Sequence, residues 1–289
     1  MKVGYLGPEG TFSEAAAKLY LNKIEGRVEL VPFTTFHSLL LAVNNGKIGE
    51  GVCPIENSIE GTIGVVPDML AKDVNLKIKQ EIVTPVFHYL IAQKGVRLSE
   101  VTDIISHPQP IEQCRDFLKK RFSHVKLHLS YSTADAAKQV ATLLGEKIIA
   151  HGKVKGRVFA AIGPLALAKL YGLKVLAQKI NAAENRTRFV VLAKADHKKT
   201  GNDKTSIVFS IKRDIPGGLY DVLSEFADRN INLTKIESRP SKKALGDYYF
   251  FIDMEGHREE PPVAHALKNI KRKAGFFKNL GSYPAARRR

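Results

Sequence analysis

Polar side chains gather at five predicted turns or strand ends within the first 195 residues. They offer hydroxyl, carboxyl, amide, imidazole and guanidinium groups, which can orient a small anionic substrate and move a proton. Open α/β sheets bind ligands at the ends of their strands, so we expect these clusters to line one site. The five stretches are GPEGTFS at 7–13, PIENSIEGT at 54–62, SHPQPIEQC at 106–114, AAIGP at 160–164 and NRTRF at 185–189.

The first cluster predicts an anion site at the start of a helix. An apolar run at 3–6 predicts a short strand, residues 7–10 are turn-forming, and Thr11 or Ser13 can cap the Ala-rich helix that follows. Backbone N–H groups at a helix start favour a phosphate or a carboxylate. The alternative is an ordinary connection from strand to helix, with a good cap and no ligand.

The other clusters also have a purely structural interpretation. Glu56 and Asn57 can be turn formers, and His107 beside a proline can be a hydrogen-bonded turn residue. Thr187 is an ordinary strand residue, and Arg188 can form a surface ion pair. The chemical interpretation therefore depends on the clusters occurring together.

Composition excludes several classes of protein. The 289 residues are 44% hydrophobic, which is enough for two domains with their own cores. No apolar stretch reaches eighteen residues and the N-terminus lacks a secretion signal, so we expect a cytoplasmic protein with no membrane partner. Cys53 and Cys114 form no CxxC pair, which predicts two reduced thiols and neither a metal site nor a disulfide.

The net charge of +16 raises the question of nucleic-acid binding. Basic residues are spread along the chain, with the densest runs at 268–273 and 287–289, and no helix-turn-helix, zinc-finger or aromatic-basic RNA motif accompanies them. We therefore expect no nucleic-acid partner. A positive field would instead speed the encounter with a small dianion.

Short apolar strands alternate with helical stretches over residues 1–195, which predicts an α/β domain with largely parallel sheets. The extended run at 78–93, which contains Pro85, is expected to carry the chain between two lobes with a ligand cleft between them. The predicted strands are 3–6, 51–54, 81–92, 103–106, 158–162 and 187–192, and the predicted helices include 36–43 and 133–141.

A polar, glycine-containing segment at 196–204 predicts a linker to a second domain at 205–282, which is followed by a basic tail at 283–289. The order of elements in the second domain is βαββαβ, a ferredoxin-like plan. The predicted elements are a strand at 206–211, a helix at 216–229, strands at 232–238 and 247–254, a helix at 262–274 and a strand at 276–280.

Taken together, GPEGTFS, PIENSIEG, SHPQPIEQC and NRTRF closely resemble the motifs of the prephenate dehydratase family, in the family's order. In the second domain, Gly217-Gly218-Leu219-Tyr220 and Glu237-Ser238-Arg239-Pro240 resemble the two regulatory motifs of that family's ACT domain. The resemblance spans nearly the whole chain. It implies a catalytic domain folded like a type II periplasmic binding protein, with the substrate in the cleft between its two lobes.

The resemblance also implies a reaction without a cofactor. Prephenate loses carbon dioxide and its ring hydroxyl together and becomes phenylpyruvate, on the route to phenylalanine. Because an aromatic ring forms, such an enzyme mainly orients a dianion and assists the departure of hydroxide. The resemblance implies that Thr187 hydrogen-bonds the leaving hydroxyl and that Glu56 or His107 supplies the proton. The residues expected to bind the substrate are Thr11, Ser13, Asn57, Ser58, Ser106, Gln109, Arg188 and Phe189.

For the ACT domain the resemblance implies a phenylalanine site at the interface between paired domains. Residues 217–220 are expected to approach the backbone charges of the amino acid, and residues 237–240 to close the site. Many relatives have alanine where this chain has Gly218, and glycine loosens the turn. The alternative is a purely structural dimerisation domain.

Two other functions stay open. An arogenate dehydratase would use the same fold and the same elimination on a substrate with an amine in place of the keto group. A non-catalytic ligand-binding regulator would keep the cleft and the ACT domain. We expect that the chain has no room for a fused mutase or dehydrogenase domain and is therefore the monofunctional form. We also expect it to assemble as a homodimer or a homotetramer.

Overall fold

The computed structural model describes residues 1–286 except 23, 25, 143–147, 151–152, 182–183, 213–214, 243 and 245. The described strands are β1 Lys2–Leu6, β2 Glu29–Phe33, β3 Glu50–Asn57, β4 Gly61–Thr62, β5 Lys77–Pro85, β6 Tyr89–Ala92, β7 Asp103–Ser106, β8 Lys126–Leu129, β9 Ile148–Ala150, β10 Lys153–Lys155, β11 Phe159–Gly163, β12 Lys174–Ala177, β13 Arg186–Ala193, β14 Asp203–Ile211, β15 Leu233–Pro240, β16 Tyr248–Glu255 and β17 Ala274–Pro284. The described helices are α1 Phe12–Leu21, α2 Phe36–Asn44, α3 Val65–Lys72, α4 Pro108–Gln113, α5 Arg115–Arg121, α6 Thr133–Thr142, α7 Leu165–Leu170, α8 Gly218–Ala227 and α9 Pro261–Lys273, with a 3₁₀ turn at Leu98–Glu100.

Lobe 1, formed by β1–β5, α1–α3 and the late strand β13, has a mixed sheet covered on both faces. β1 pairs in parallel with β2 and β3, and β13 is inserted antiparallel between β3 and β5. One face packs under α1 through residues that include Val52 and Phe189. The other face packs under α2 and α3 through Cys53 and Val190. Because neighbouring strand residues point to opposite faces, adjacent residues of β3 and β13 serve different sides of lobe 1.

Lobe 2, formed by β6–β12 and α4–α7, has a five-stranded sheet in the order β12-β6-β11-β7-β8. β7, β8 and β11 run parallel, so their carboxyl ends lie at one edge. The helices α4, α6 and α7 begin at that edge, because each follows one of these strands. β6 and β12 complete the sheet with antiparallel pairing.

The chain crosses between the lobes twice, once between β5 and β6 and once between β12 and β13. The two crossings bind each other: the His88 N–H donates to Asn181 Oδ1 at 2.7 Å, and Asn181 Nδ2 donates to Val86 O at 2.8 Å. The extended run at 78–93 therefore carries a crossing, as expected. The single strand predicted at 81–92 is wrong, because Val86 and His88 bond to the other crossing and separate β5 from β6.

The C-terminal domain has a four-stranded antiparallel sheet in the order β15-β16-β14-β17. α8 and α9 cover one face, around a core that includes Phe209, Phe226 and Ile252. The predicted βαββαβ plan is confirmed. The segment predicted as a linker is partly strand, because Asp203 begins β14, where its carboxylate accepts from the Thr200 hydroxyl at 2.6 Å.

The other face of the C-terminal sheet packs directly on lobe 1. Val208, Phe251 and Tyr283 join the core that lies beneath α2 and α3. β17 runs beside β5, and at Gly281 the backbone has a φ of +128° and a Cβ atom would lie 2.5 Å from Ile78 O. Glycine is thus required where the two domains approach most closely. Within the described ranges, no helix is long and apolar enough to cross a membrane.

The close approach of β17 to β5 predicts that Gly281→Ala destabilises the protein. We expect a loss of about 3 kcal/mol in the free energy of unfolding, because strain at a positive φ adds to a clash with backbone. Urea unfolding followed by circular dichroism measures this change in the free energy of unfolding. Gly201→Ala is the matched control: its φ is +91° and nothing lies within 4 Å, so strain alone applies. Equal losses in the two variants would contradict the close approach.

Candidate functional site

Asn57 and Thr187 face each other across the pair of strands β3 and β13. They are partners in the strand register, and Asn57 Nδ2 donates to Thr187 Oγ1 at 2.9 Å. The N–H groups of Ile59 and Glu60 donate to Asn57 Oδ1 at 3.0 and 3.2 Å, which fixes the direction of the amide. Because Thr187 Oγ1 accepts the bond from Asn57, its own proton can be donated to a ligand.

Amide groups connect this pair to lobe 2. Asn57 Nδ2 also donates to Asn185 Oδ1, and Asn185 Nδ2 donates to Gln113 Oε1, both at 2.8 Å. Gln113 lies on α4 of lobe 2, and its Nε2 donates to Glu60 Oε1 of lobe 1 at 2.8 Å. We name the cluster of Thr187, Asn57, Asn185 and Gln113 the lobe junction. The orientation of Thr187 is thereby linked to the position of α4.

His88 contacts the lobe junction from the first crossing. Its Nε2 lies 3.0 Å from Gln113 Oε1, and its ring packs edge-on against Phe12 with the ring centroids 5.5 Å apart. Because an amide oxygen only accepts, the Nε2 of His88 carries the proton. Its Nδ1 is buried without a partner among the described residues. Burial lowers the pKa of His88 to about 4, and the bond to Gln113 opposes this only in part.

Thr11 caps α1, as the sequence predicted. Its Oγ1 accepts from the Glu14 N–H at 3.3 Å, and the Gly10 N–H donates in return to Glu14 Oε2 at 2.7 Å. Ser13 is buried in the first turn of the same helix. The predicted anion site is therefore partly filled by the helix's own carboxylate.

Ser106, His107 and Gln109 lie at the edge of lobe 2 where parallel strands end. Ser106 is buried and its hydroxyl donates to Ile162 O at 2.8 Å, which ties β7 to β11. His107 begins α4, and its Nδ1 accepts from the Gln109 N–H at 3.3 Å. The half-exposed ring of His107 therefore has Nε2 as its donor, while Gln109 is exposed.

Glu56 and Arg188 are not part of the lobe junction, contrary to the expectation from sequence. They are register partners one residue away from Asn57 and Thr187, so the alternation of strand residues turns them to the opposite face. There Glu56 Oε2 lies 3.5 Å from Arg188 Nη1 and 3.3 Å from Lys235 Nζ of the C-terminal domain. A carboxyl group on that face cannot protonate a substrate beside Thr187.

Ser58 and Phe189 hold β13 in place. Ser58 Oγ donates to Glu184 O and accepts from the Arg186 N–H, both at 2.9 Å. Phe189 is buried beneath α1, in the same core as Val52. The Ser58 hydroxyl and the Phe189 ring are thus engaged within the fold, and the expected substrate contacts do not follow from their positions.

The stretches 217–220 and 237–240, named here the effector motifs, lie at one end of the C-terminal sheet. Phe209, near the end of β14, and Ser238 of β15 both pair with Phe250 of β16, so the ends of β14 and β15 are level. α8 begins at this end, after Gly217 with a φ of +82°. Gly218 is buried, Leu219 is half-buried and Tyr220 is exposed.

The second effector motif is divided between two faces of β15. Glu237 Oε2 accepts from Thr62 Oγ1 of lobe 1 at 2.6 Å, and Arg239 Nε donates to Asp68 Oδ1 of α3 at 2.8 Å. Ser238 and Pro240 are exposed. The charged residues of the motif therefore contact the first domain, and only its uncharged residues are open to a ligand.

Three side chains of this site were missed by the sequence analysis. Asn185 and Gln113 belong to the polar clusters at 185–189 and 106–114. The local sequence does not indicate which amide side chain of one cluster contacts an amide of another cluster. His88 lies in the run at 78–93, to which only a connecting role was given. A search for amides within the clusters would have found the first two.

Two lobes joined by a double crossing, a polar site where they meet and a βαββαβ domain define a two-domain α/β enzyme. Its first domain is folded like the periplasmic binding proteins. The prephenate dehydratase family model matches residues 3–197, and the ACT domain model matches residues 205–272. The chain belongs to the prephenate dehydratase family, which makes it a lyase with an ACT domain.

Individual relatives agree with this assignment. The chain is 40% identical to prephenate dehydratase of Methanocaldococcus jannaschii over 283 residues, which cover 97% of each chain. It is 40% identical to the bifunctional chorismate mutase/prephenate dehydratase of Aquifex aeolicus over 287 residues, 99% of this chain and 74% of that protein. The crystal structure of prephenate dehydratase from Arthrobacter aurescens in complex with L-Phe has a TM-score of 0.87 and 33% identity, covering 99% of this chain and 90% of that one.

Burial of neutral His88 predicts a loss of stability in mild acid. The unfolded histidine has a pKa of about 6.5 and the folded one about 4, so the unfolded state binds the proton first as the pH falls. The contribution of neutral His88 to the free energy of unfolding is fully present above a pH of about 6.5. It is lost progressively as the pH falls to about 4, and the loss amounts to at most about 3 kcal/mol.

Urea unfolding of the wild type and of His88→Gln across this pH window measures the effect. Glutamine does not titrate, so its stability should depend less on pH than that of the wild type. Parallel pH profiles would contradict a buried, neutral His88.

Proposed function

We propose that this enzyme converts prephenate to phenylpyruvate by decarboxylative dehydration, as a step of L-phenylalanine biosynthesis, and that the lobe junction is its active site. Membership of the prephenate dehydratase family supports the choice of substrate. The observation that supports the site is the bond from Asn57 Nδ2 to Thr187 Oγ1, because it directs the threonine proton away from the protein.

The reaction asks for positioning and for stabilisation of one departing oxygen. The bond between the ring and the leaving carboxylate breaks, its electron pair enters the ring, and the ring hydroxyl leaves with one proton as water. Thr187 donates a hydrogen bond to that oxygen, and Asn57 fixes the direction of the donor. A threonine hydroxyl is a poor acid, so Thr187 polarises the oxygen and the proton comes from another group.

His107 is the proton source in this proposal, because Glu56 lies on the far face of the sheet. Its Nδ1 accepts from the Gln109 N–H at 3.3 Å when the ring is neutral, so the ring must first take up a second proton and give up that bond before its Nε2 can protonate the departing oxygen.

Ser13 at the start of α1 and Gln109 on α4 are the proposed contacts to the substrate carboxylates. The Thr11 hydroxyl offers them no proton, since it donates to Pro8 O at 3.0 Å and accepts from the Glu14 N–H. Ser106 offers only an acceptor, since its proton is bound to Ile162 O.

The leaving carboxylate must not be held by a tight ion pair, because its charge disappears as carbon dioxide forms. The guanidinium of Arg188 follows Thr187 directly in the chain but is bound to Glu81 at 2.7 Å and to Asp253 at 2.6 Å on the opposite face. Because Arg188 is bound on that face, it does not hold the leaving carboxylate in an ion pair, and decarboxylation is not opposed.

Arogenate is the second candidate substrate. Its amine would require an acceptor that the keto group of prephenate does not. The carboxylate of Glu60 is at the lobe junction, where it accepts from Gln113 at 2.8 Å, and it is exposed. A comparison of the two substrates therefore belongs to the first experiment.

We further propose that L-phenylalanine binds the effector motifs and suppresses turnover. The relative from Arthrobacter aurescens was crystallised with L-Phe. The two motifs lie at the same end of the ACT sheet in this chain, and the positive φ of Gly217 suits a close approach of backbone to a ligand.

A second copy of the chain is expected to complete the effector site, in a homodimer or a homotetramer. β15 is an edge strand of the ACT sheet, and its Ile236 is 49% exposed. The free, buried thiols of Cys53 and Cys114 suit the reducing cytoplasm, where we propose that the enzyme acts.

Thr187→Ala is expected to lower kcat for prephenate by about 100- to 10,000-fold, because the departing oxygen loses its donor. Thr187→Ser keeps the hydroxyl and should stay within about tenfold of the wild type. The measurement is formation of phenylpyruvate from prephenate, alongside formation of phenylalanine from arogenate. A folded wild type that turns over neither compound, or an alanine variant as active as the wild type, would contradict the proposal.

Gly218→Ala is expected to tighten the binding of L-phenylalanine by about two- to fivefold, because alanine restricts the turn before the ligand binds. Titration calorimetry measures the affinity, and turnover without phenylalanine should be unchanged since Gly218 is remote from the lobe junction. An affinity that does not change would place the ligand away from this turn.

A further inference from the structure

The strand that carries Thr187 also connects the two domains. Thr187 faces the lobe junction, whereas Arg188, the next residue, reaches the ACT domain. Consecutive Cα atoms lie about 3.8 Å apart, so a displacement of Arg188 is passed to Thr187 through a single peptide unit.

The guanidinium of Arg188 is bound on every side. Its Nη1 donates to Asp253 Oδ2 at 2.6 Å, its Nε to Glu81 Oε2 at 2.7 Å and its Nη2 to Tyr283 Oη at 2.9 Å. The side chain is only 13% exposed. With three carboxylates already in contact, those of Asp253, Glu81 and Glu56, Arg188 is poorly suited to bind an anionic substrate, which explains in physical terms why the expected contact is absent.

The ACT domain contributes to this cluster from three neighbouring strands. Asp253 lies on β16 and Tyr283 on β17, and Ser206 of β14 bridges them by donating to Asp253 Oδ1 and lying 2.7 Å from Tyr283 Oη. Burial alone would raise the pKa of Asp253, but the charge of Arg188 outweighs it and the pKa is lowered. The carboxylate is therefore ionised, and a relative shift of these strands changes the contacts of Arg188.

Glu237 of the second effector motif is linked to the same cluster through Lys235, whose Nζ lies 3.2 Å from Glu237 Oε2. Lys235, two residues before Glu237 on β15, is the register partner of Asp253. Its Nζ lies 3.3 Å from Glu56 Oε2, which in turn lies 3.5 Å from Arg188 Nη1. A displacement of β15 thus alters the charges around Arg188 without any contact between the ligand and the lobe junction.

We infer that Arg188 is a positioning residue that holds Thr187 in an orientation set by the ACT domain, and that a ligand at the effector motifs acts on catalysis through this residue. The inference rests on the proposed functions of Thr187 and of the effector motifs. The ion pair of Asp68 with Lys242, at 2.7 Å, also crosses the domain interface, but it leads to α3 and adjoins no residue of the lobe junction.

Tyr283→Phe tests the inference, because it removes one contact of Arg188 and keeps the volume of the ring. We expect kcat for prephenate to fall by about three- to tenfold with KM unchanged, and the suppression by saturating L-phenylalanine to weaken by a similar factor. The affinity for L-phenylalanine, measured by calorimetry, should stay the same. Lys242→Gln is the matched control: it breaks an interface ion pair that does not lead to Thr187, so neither kcat nor suppression should change.

Hydrogen exchange at residues 186–189 gives a readout that does not need turnover. In the absence of ligand, exchange there should be faster in Tyr283→Phe than in the wild type, and unchanged in Lys242→Gln. Equal suppression by L-phenylalanine in all three proteins, with equal exchange, would overturn the inference and leave the proposed function intact. A wild type inactive on prephenate would instead refute the proposed function, and the exchange difference would still decide whether Arg188 orders the strand of Thr187.

Discussion

The structure depends on the insertion of one strand, β13, between β3 and β5. This strand arrives from lobe 2 at the end of the second crossing and is paired on both of its edges. A strand bound on both sides cannot slip by one residue without moving every side chain to the wrong face. The pairing of β13 shifts register after Arg188 against β3 and after Val191 against β5, but the neighbours Thr187 and Arg188 still turn to opposite faces. One short stretch of this strand therefore contributes to both the lobe junction and the domain interface.

Charges buried beside β13 make the interface between the domains specific. Glu81 is almost fully buried and accepts from both Arg188 and Lys204, with the distance to Lys204 at 3.0 Å. Removing charges from water is costly, and the cost is offset only when every member of such a cluster has its partners. A displaced ACT domain would take Lys204 away from Glu81 and Asp253 away from Arg188, whereas the apolar contacts around Phe251 tolerate small shifts. The relative position of the domains is therefore fixed by polar groups more than by the shared core.

Local patterns were sufficient for much of the fold. The strand at 103–106 has its predicted bounds, Thr11 caps α1, and the βαββαβ order of the second domain is present, because strand periodicity and capping involve neighbouring residues. The predicted strand at 81–92 failed because its interruption at His88 comes from Asn181, which is far away in the sequence. Most of the polar residues at the lobe junction were named from their clusters or lie within them. The separation of Glu56 from Asn57 was missed because the strand was predicted to end at residue 54, whereas β3 continues to Asn57 and its alternation turns the two side chains to opposite faces.

The bonds of Gln113 have a consequence for the two states that a cleft can adopt. This side chain joins α4 of lobe 2 to Asn185 of the second crossing and to Glu60 of lobe 1, so its bond to Glu60 cannot survive a separation of the lobes. Helix α4 loses this tie to lobe 1 at the moment when water gains entry. Enclosure of a molecule and engagement of Gln113 with the lobe junction are thus the same physical event, whereas the bond from Asn57 to Thr187 lies within lobe 1 and does not depend on that engagement.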